Sequence, residues 1–483
     1  MVIVKKVIIS KLFLYKHRFL IGYIILGLAF VALLFFLPLF SQNGLSEAEM
    51  ASAESSYYLN YDAPMNGDLV NLPYRLLQKL SIRVFGLTPY AVKLPSILVG
   101  LALGLLLILL LNRWFKNNVS LMASTIVILS TPFLYLAGSG TPLIMLVFWP
   151  TLLLWLGSKI QGEKRPKPMY SFWFAVALLL AIFTPYMLYF AVFSVLFVFV
   201  QPHLRFVVKS LPKALLITVS LIILAGVVAL VMNIINHPDT IRELLLTKEF
   251  TPDRFFSNIG HGAALIFSWR VAVESTLMAP LMSLPIFALA LTGLLSTTKG
   301  FFASRNSIAS VLLVFTVIIT GFSPEAAIFV ILPISILVAH GLKYILLKWY
   351  GLFPENPYAR VAAILPLASL FAIMIIPSLL QYIYGYRYNP SVVDKFSLDL
   401  TLVRENLSNE TLVVGEKKYN FYRMLESSTN ITVVKELTTG ITAPTVAVLN
   451  GQTTDEHYKL QRIITSPRKE KSDIIYLYTA KGE

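Results

Sequence analysis

Long apolar runs alternate with short basic segments over most of this chain. A helix that crosses ~30 Å of hydrocarbon needs about 20 apolar residues. About eleven runs reach or approach that length, near 19–40, 92–111, 118–137, 142–158, 171–184, 186–201, 212–234, 276–297, 306–321, 325–346 and 361–384. Runs that meet at Gly138–Thr141, Thr184–Pro185 and Ser323–Pro324 have almost no loop between them, which predicts tight hairpins. The first run is too long for the apolar part of a cleaved signal and lacks a small-residue cleavage site, so it reads as an anchor. Beyond about residue 385 the pattern changes. Thr411–Gly415, Ile431–Val434, Thr445–Leu449 and Asp473–Tyr478 are short β-type runs, and Leu398–Asn406, Tyr419–Glu426 and Asp455–Ile464 read as helices between them. The pattern predicts an α-helical polytopic membrane bundle over 1–384 and a small soluble α/β domain with a partly parallel sheet over 385–483.

Composition sharpens this picture. The chain has 483 residues, of which 57% are hydrophobic and 13% charged, against about 25% charged in a soluble protein. It contains no cysteine, which excludes disulfides, thiolate metal sites and a cysteine nucleophile. A net charge of +15 invites a nucleic-acid reading, but the basic residues sit between apolar runs rather than in one patch. Their placement instead sets orientation. With the N-terminus inside, the inner segments hold Lys5, Lys6, Lys11, Lys16 and Arg18, then Arg113 and Lys116, then Lys159, Lys164, Arg165 and Lys167. Further on they hold Arg205, Lys209 and Lys213, Lys299 and Arg305, and Lys343, Lys348 and Arg360, while the three tight outer hairpins hold no basic residue. A multi-pass plasma-membrane protein follows, with a cytoplasmic N-terminus, an extracytoplasmic C-terminal domain and outer loops near 41–91 and 235–275.

Candidate chemistry lies on those two loops. The first opens with Gly44-Leu-Ser-Glu-Ala-Glu-Met50 and continues through Glu54, Asp62 and Asp68. Carboxylates at the end of a membrane helix can serve as a general base or hold a divalent metal, or can simply solvate a loop. Farther along, Arg75, Lys79 and Arg83 recur every four residues beside Leu72, Leu76, Leu77, Leu80 and Val84. That spacing predicts an amphipathic interfacial helix with a basic stripe, suited to a lipid-linked phosphate or to anionic lipid in general. The second loop holds Arg254, His261 and Arg270, and His261 lies between glycines in Ile259-Gly-His-Gly262, where close approach or a hinge is available. Glu325 stands at the outer end of a span, and the spans otherwise hold almost no acid, which argues against a proton-coupled pump.

The order of these features resembles the GT-C membrane glycosyltransferases, in particular family 39, which includes the protein O-mannosyltransferases and their bacterial relatives. Ser46-Glu47-Ala48 stands where that family has an Asp-Glu motif followed by Ala. Leu72-Pro73-Tyr74 through Val84-Phe85-Gly86, then Val92-Lys93-Leu94-Pro95-Ser96, resemble its amphipathic helix and the entry to its second span. Ile328 through Pro333 and on to Gly341 resembles its late Leu-Pro element. The resemblance implies transfer of a sugar from a polyprenyl-phosphate-linked donor to a lipid, glycan or protein acceptor at the outer membrane face. It implies Glu47 as base, with Asp62 as second choice, and Arg75, Lys79, Arg83, Arg254 and Arg270 as cations for the donor phosphate; His261 and Glu325 are further candidates. No cofactor is assigned, and a divalent metal stays open. The chain departs from the family where Ser46 replaces an Asp, where Gly140-Thr141-Pro142 lacks another Asp, and where the basic residue before the late Leu-Pro is missing. A non-catalytic relative that binds lipid-linked sugar is therefore an alternative. So is a transporter, which would show inverted repeats and broken mid-membrane helices.

Overall fold

Apolar helices with every backbone group paired internally are what the lipid demands of such runs. The computed structural model describes residues 17–41, 43–59, 69–161, 168–245, 251–268, 280–298, 304–352, 358, 362, 364–436, 444–449, 457–466 and 473–481. Within them the chain order is α1 (Arg18–Ser41), β1 (Leu45–Ser46), α2 (Glu47–Tyr57), α3 (Leu72–Phe85), α4 (Pro89–Trp114), α5 (Asn117–Ile128) and α6 (Thr131–Gly138). There follow α7 (Met145–Gln161), α8 (Pro168–Ala181), α9 (Met187–Val200), α10 (Pro202–Lys209), α11 (Lys213–Asn236), α12 (Asp239–Leu245) and α13 (Phe255–Phe267). The bundle ends with α14 (Leu284–Thr297), α15 (Ser304–Thr320), α16 (Ile331–Leu352) and α17 (Ile364–Leu380).

Six helices among the described residues are long and apolar enough to cross a membrane: Ile21–Ser41, Pro89–Trp114, Pro142–Ile160, Leu215–Asn236, Pro324–Trp349 and Leu365–Tyr388. The α5–α6 pair is long and apolar enough only when taken together and is bent by 65° at its break, as a broken span or a re-entrant loop would be. Four shorter apolar helices, Pro168–Ala181, Met187–Val200, Leu284–Thr297 and Asn306–Thr320, take up the remaining predicted runs. The protein is a multi-pass membrane protein. Its centre is α16, nearly all of whose apolar window is buried, packed on α14, α5 and α15.

The C-terminal part begins where β2 (Phe396–Ser397) pairs antiparallel with β1, Leu45 opposite Ser397 and Ser46 opposite Phe396. After α18 (Asp399–Asn406), β3 (Thr411–Val413), α19 (Glu416–Arg423), β4 (Thr432–Val434), β5 (Thr445–Leu449), β6 (Tyr458–Thr465) and β7 (Ile474–Ala480) build a five-stranded sheet of order β4-β3-β5-β7-β6. β3 runs parallel to β4 and β5, whereas β7 runs antiparallel to both β5 and β6. One expectation is corrected: of the stretch read as a helix over Asp455–Ile464, Asp455 lies outside the described residues, and the residues from Tyr458 on are edge strand β6. Its Ile463-Ile-Thr465 end is β-branched, and β7 supplies a hydrogen-bonding partner that local periodicity does not reveal. Leu45, Met50, Ile82 and Leu87 from the first loop share one apolar cluster with Leu400, Val403, Leu412, Phe421 and Ile475. The sheet unit and the first loop therefore fold on a common core.

Candidate functional site

The turn between α1 and α2 brings the site together. Gly44 has φ +101°, and a Cβ there would lie 2.4 Å from the Ser397 carbonyl oxygen, so a glycine is needed for β1 to approach β2. Ser46 then caps α2 in a Ser-x-x-Glu box. The Ser46 Oγ accepts from the Glu49 backbone N–H at 3.3 Å, and the Glu49 Oε2 accepts from the Ser46 N–H at 2.8 Å and its hydroxyl at 3.2 Å. The other carboxylate oxygen, Oε1, accepts the Gly140 backbone N–H at 2.7 Å and lies 4.0 Å from the Lys93 ammonium. Glu49 and Lys93 are each only 1% exposed.

Helix geometry gives the two carboxylates of this opening different surroundings. Glu47 is the first residue of α2 and is exposed. Glu49, two residues on, turns inward through its reach back to the cap. The missing acid at Gly140 also has a physical reason: a Cβ there would lie 2.7 Å from the Val92 Cγ1, so the turn can pass α4 only without a side chain. Lys93 sits near the N-terminus of α4, where the helix dipole disfavours a cation, and the Glu49 carboxylate offsets that. The Phe396 ring, 5.7 Å from the ammonium, closes the site from the C-terminal side, with Tyr386 beside it.

A buried polar layer surrounds this pair. The Gln78 amide donates to the carbonyls of Val92 at 3.0 Å and Gly140 at 2.9 Å, and its Oε1 accepts from Ser52 at 2.9 Å and Ser56 at 2.7 Å. One side chain thus ties α2, α3, the start of α4 and the 139–141 turn. The Tyr74 hydroxyl pairs with that of Ser96 at 2.7 Å, and burial raises its pKa above the usual tyrosine range. Helix α3 therefore buries a polar face, Tyr74, Gln78 and Ser81, while Leu76, Leu77, Leu80, Val84 and Phe85 are exposed. That arrangement suits a helix lying against lipid.

The basic stripe on α3 divides into two parts. Arg75 donates to the Ser55 hydroxyl of α2 at 3.3 Å and to the Val70 carbonyl at 3.3 Å, and Lys79 donates to the Leu59 carbonyl just after α2. Arg83 is exposed. Asp62 and Arg270 lie outside the described residues. The donor set does not fit a divalent metal. Among the described residues no three His, Cys, Asp or Glu come together, whereas a hard dication takes about six oxygen ligands.

Compared with solved structures, the chain is similar over nearly its whole length to ArnT from Cupriavidus metallidurans bound to undecaprenyl phosphate. The TM-score is 0.51 at 12% identity, covering 94% of this chain and 98% of that one. It is also similar to the oligosaccharyltransferase AglB from Archaeoglobus fulgidus in complex with an inhibitory peptide and a dolichol-phosphate. There the TM-score is 0.51 at 11% identity, over 91% of this chain and 70% of that one. Both neighbours are GT-C glycosyltransferases. The chain has the GT-C fold. No family model and no curated protein matches the sequence.

Of the second loop, the described residues include the Pro252–Arg254 turn and α13. Arg254 and His261 are exposed, at the start and in the middle of α13. That helix packs on α15 and on the turn Pro324–Val330. Gly262 gives the close approach that its sequence permits, since a Cβ there would meet the Thr320 methyl at 2.0 Å. Glu325 is exposed at the start of the Pro324–Val330 turn. The inner face of α13, with Ile259, Ile266 and Phe267, instead walls an apolar cavity of about 230 Å³ shared with α14, α15 and α16. Sequence reasoning passed over Glu49, Lys93 and Gln78. The Ser46-x-x-Glu49 spacing was a readable signal for the first; Lys93 was hidden in the apolar entry to a span.

Proposed function

We propose that this protein transfers a sugar, of hexosyl or mannosyl type, from a polyprenyl-phosphate-linked donor to a lipid, glycan or protein acceptor at the extracytoplasmic membrane face. The observation that carries this reading is the buried Glu49–Lys93 pair at the start of α4, set in a GT-C fold. Neighbours with that fold were solved with undecaprenyl phosphate and dolichol-phosphate, which supports a lipid-linked donor. Such a transfer needs a group to take the acceptor proton and cations to stabilise the departing phosphate. Glu49 is the first choice for the proton, ahead of the exposed Glu47 and of Asp62. The cations proposed for the phosphate are Arg75, Lys79 and Arg83 of the first loop and Arg254 and Arg270 of the second. The apolar cavity beside α13 suits a polyprenyl chain. The Lys/Arg bias supports an outer position for α2, α3 and the sheet unit.

Transfer from a radiolabelled polyprenyl-phosphate sugar, together with surface glycans and glycoproteins in cells with and without the gene, tests this. Glu49→Gln keeps the shape and the acceptance from Gly140 but removes the proton acceptor, so transfer should fall by about 10²–10⁴-fold. Glu47→Gln should leave it unchanged. A second reading rests on the enclosure of Glu49: a non-catalytic relative in which this carboxylate only fastens α2 to the Gly140 turn. Unaltered glycans with retained binding of polyprenyl-phosphate sugar would select it.

A further inference from the structure

We infer that Lys93 is the resident cation of this site, and that the site works without a divalent metal. The inference rests on the transferase reading for its functional meaning, but its structural basis is separate. A carboxylate at the mouth of a membrane helix is a natural ligand for a dication. Here both oxygens of Glu49 are already engaged, one by Ser46 and the other by the Gly140 N–H and the Lys93 ammonium. Among the described residues, the positions flanking the pair are a serine at 46 and a glycine at 140, and at 140 any side chain would strike Val92. The ammonium is fixed from three sides: by Glu49, by the Phe396 ring and by the burial of Lys93 in the first turns of α4. A single carboxylate facing a single ammonium is neutral, and among the described residues no group of three His, Cys, Asp or Glu stands ready to balance a further dication.

Purified full-length protein in detergent provides the test, with Mn²⁺ as the probe. In the wild type, thermal unfolding should be the same in chelator and in excess Mn²⁺, with no saturable Mn²⁺ binding that Glu49→Gln removes. Lys93→Met should lower the unfolding midpoint by stranding a buried carboxylate, and the double variant K93M/E49Q should regain most of the loss, because the neutral amide keeps the Gly140 hydrogen bond. In S46D/K93M the new carboxylate lies beside Glu49 with the ammonium gone, so this variant should gain Mn²⁺-dependent stability that the wild type lacks. Saturable Mn²⁺ binding to the wild type that is lost in Glu49→Gln would overturn the inference. So would K93M/E49Q being no more stable than K93M, or S46D/K93M gaining nothing from Mn²⁺. Where transfer is measurable, chelator should leave it within about twofold of its rate. Absence of transfer under every condition would count against the proposed function alone, since the binding and stability readouts do not depend on it.

Discussion

At the scale of single residues, two carboxylates two positions apart have opposite environments. Glu47 and Glu49 are equivalent as letters, but the cap at Ser46 fixes the start of α2 and so decides which one faces inward. Among the described residues Tyr422 makes a second case. Its hydroxyl is buried without a hydrogen-bond partner, and burial, with Asp399 and Asp473 nearby, holds its pKa well above 10.0. A raised native pKa means that the stability from the neutral phenol is complete below pH ~10 and is lost as pH rises beyond that, because only the unfolded chain can then ionise. Tyr422→Phe should therefore leave stability near pH 7 within about 1 kcal/mol of wild type. Above pH ~10 it should remove a slope of up to ~1.4 kcal/mol per pH unit. Unfolding midpoints of both proteins across pH 8–11 would check it; equal alkaline slopes would show that Tyr422 titrates normally.

Among the elements, α3 and β6 show how far periodicity reaches. The spacing of Arg75, Lys79 and Arg83 made α3 legible as a helix, but it did not show that the polar side faces the protein and the leucines face out. In water the reverse would hold; beside lipid, the buried face is where Gln78 can satisfy its four hydrogen bonds. β6 was misread because its apolar residues fit both a helix and a strand, and only pairing with β7 separates the two. As an edge strand it offers amides to β7 at alternate positions. Hydrogen exchange over Tyr458–Thr465 should then show slow and fast amides in alternation, with a break at the bulge between Leu460 and Arg462. Uniform protection through the segment would mean that a helix forms after all.

For the molecule as a whole, the sheet unit acts as a clamp on the first loop. Beyond the shared apolar cluster, Arg404 donates to the Leu87 carbonyl at 3.1 Å, and the Tyr58 hydroxyl donates to the Asn420 carbonyl at 3.0 Å. Asp473 accepts from the Leu398 N–H at 2.9 Å and steadies β2, which carries Phe396 to Lys93. A chain ending after Asn389 should still insert its membrane helices, whose bonds are internal. Its first loop would lose the cover over Leu45, Met50, Ile82 and Leu87. Limited proteolysis should then cut within 41–91 at least tenfold faster than in the full chain, an effect of the size expected for losing over ~1.4 kcal/mol of local stability. Equal cutting rates would show that the loop folds without the sheet.

What the sequence determined by itself was the membrane bundle, its approximate spans, the interfacial helix and four of the five strands of the terminal sheet. These follow from local properties, apolar length and periodicity, that act within one segment. The tertiary structure alone decided the site: Glu49, Lys93, Gly140 and Phe396 come from four separated stretches of chain. A carboxylate and an ammonium can be buried together only when packing brings them within reach and supplies the remaining hydrogen bonds. No single segment carries that information, because the cost of burying each charge is offset only by the others.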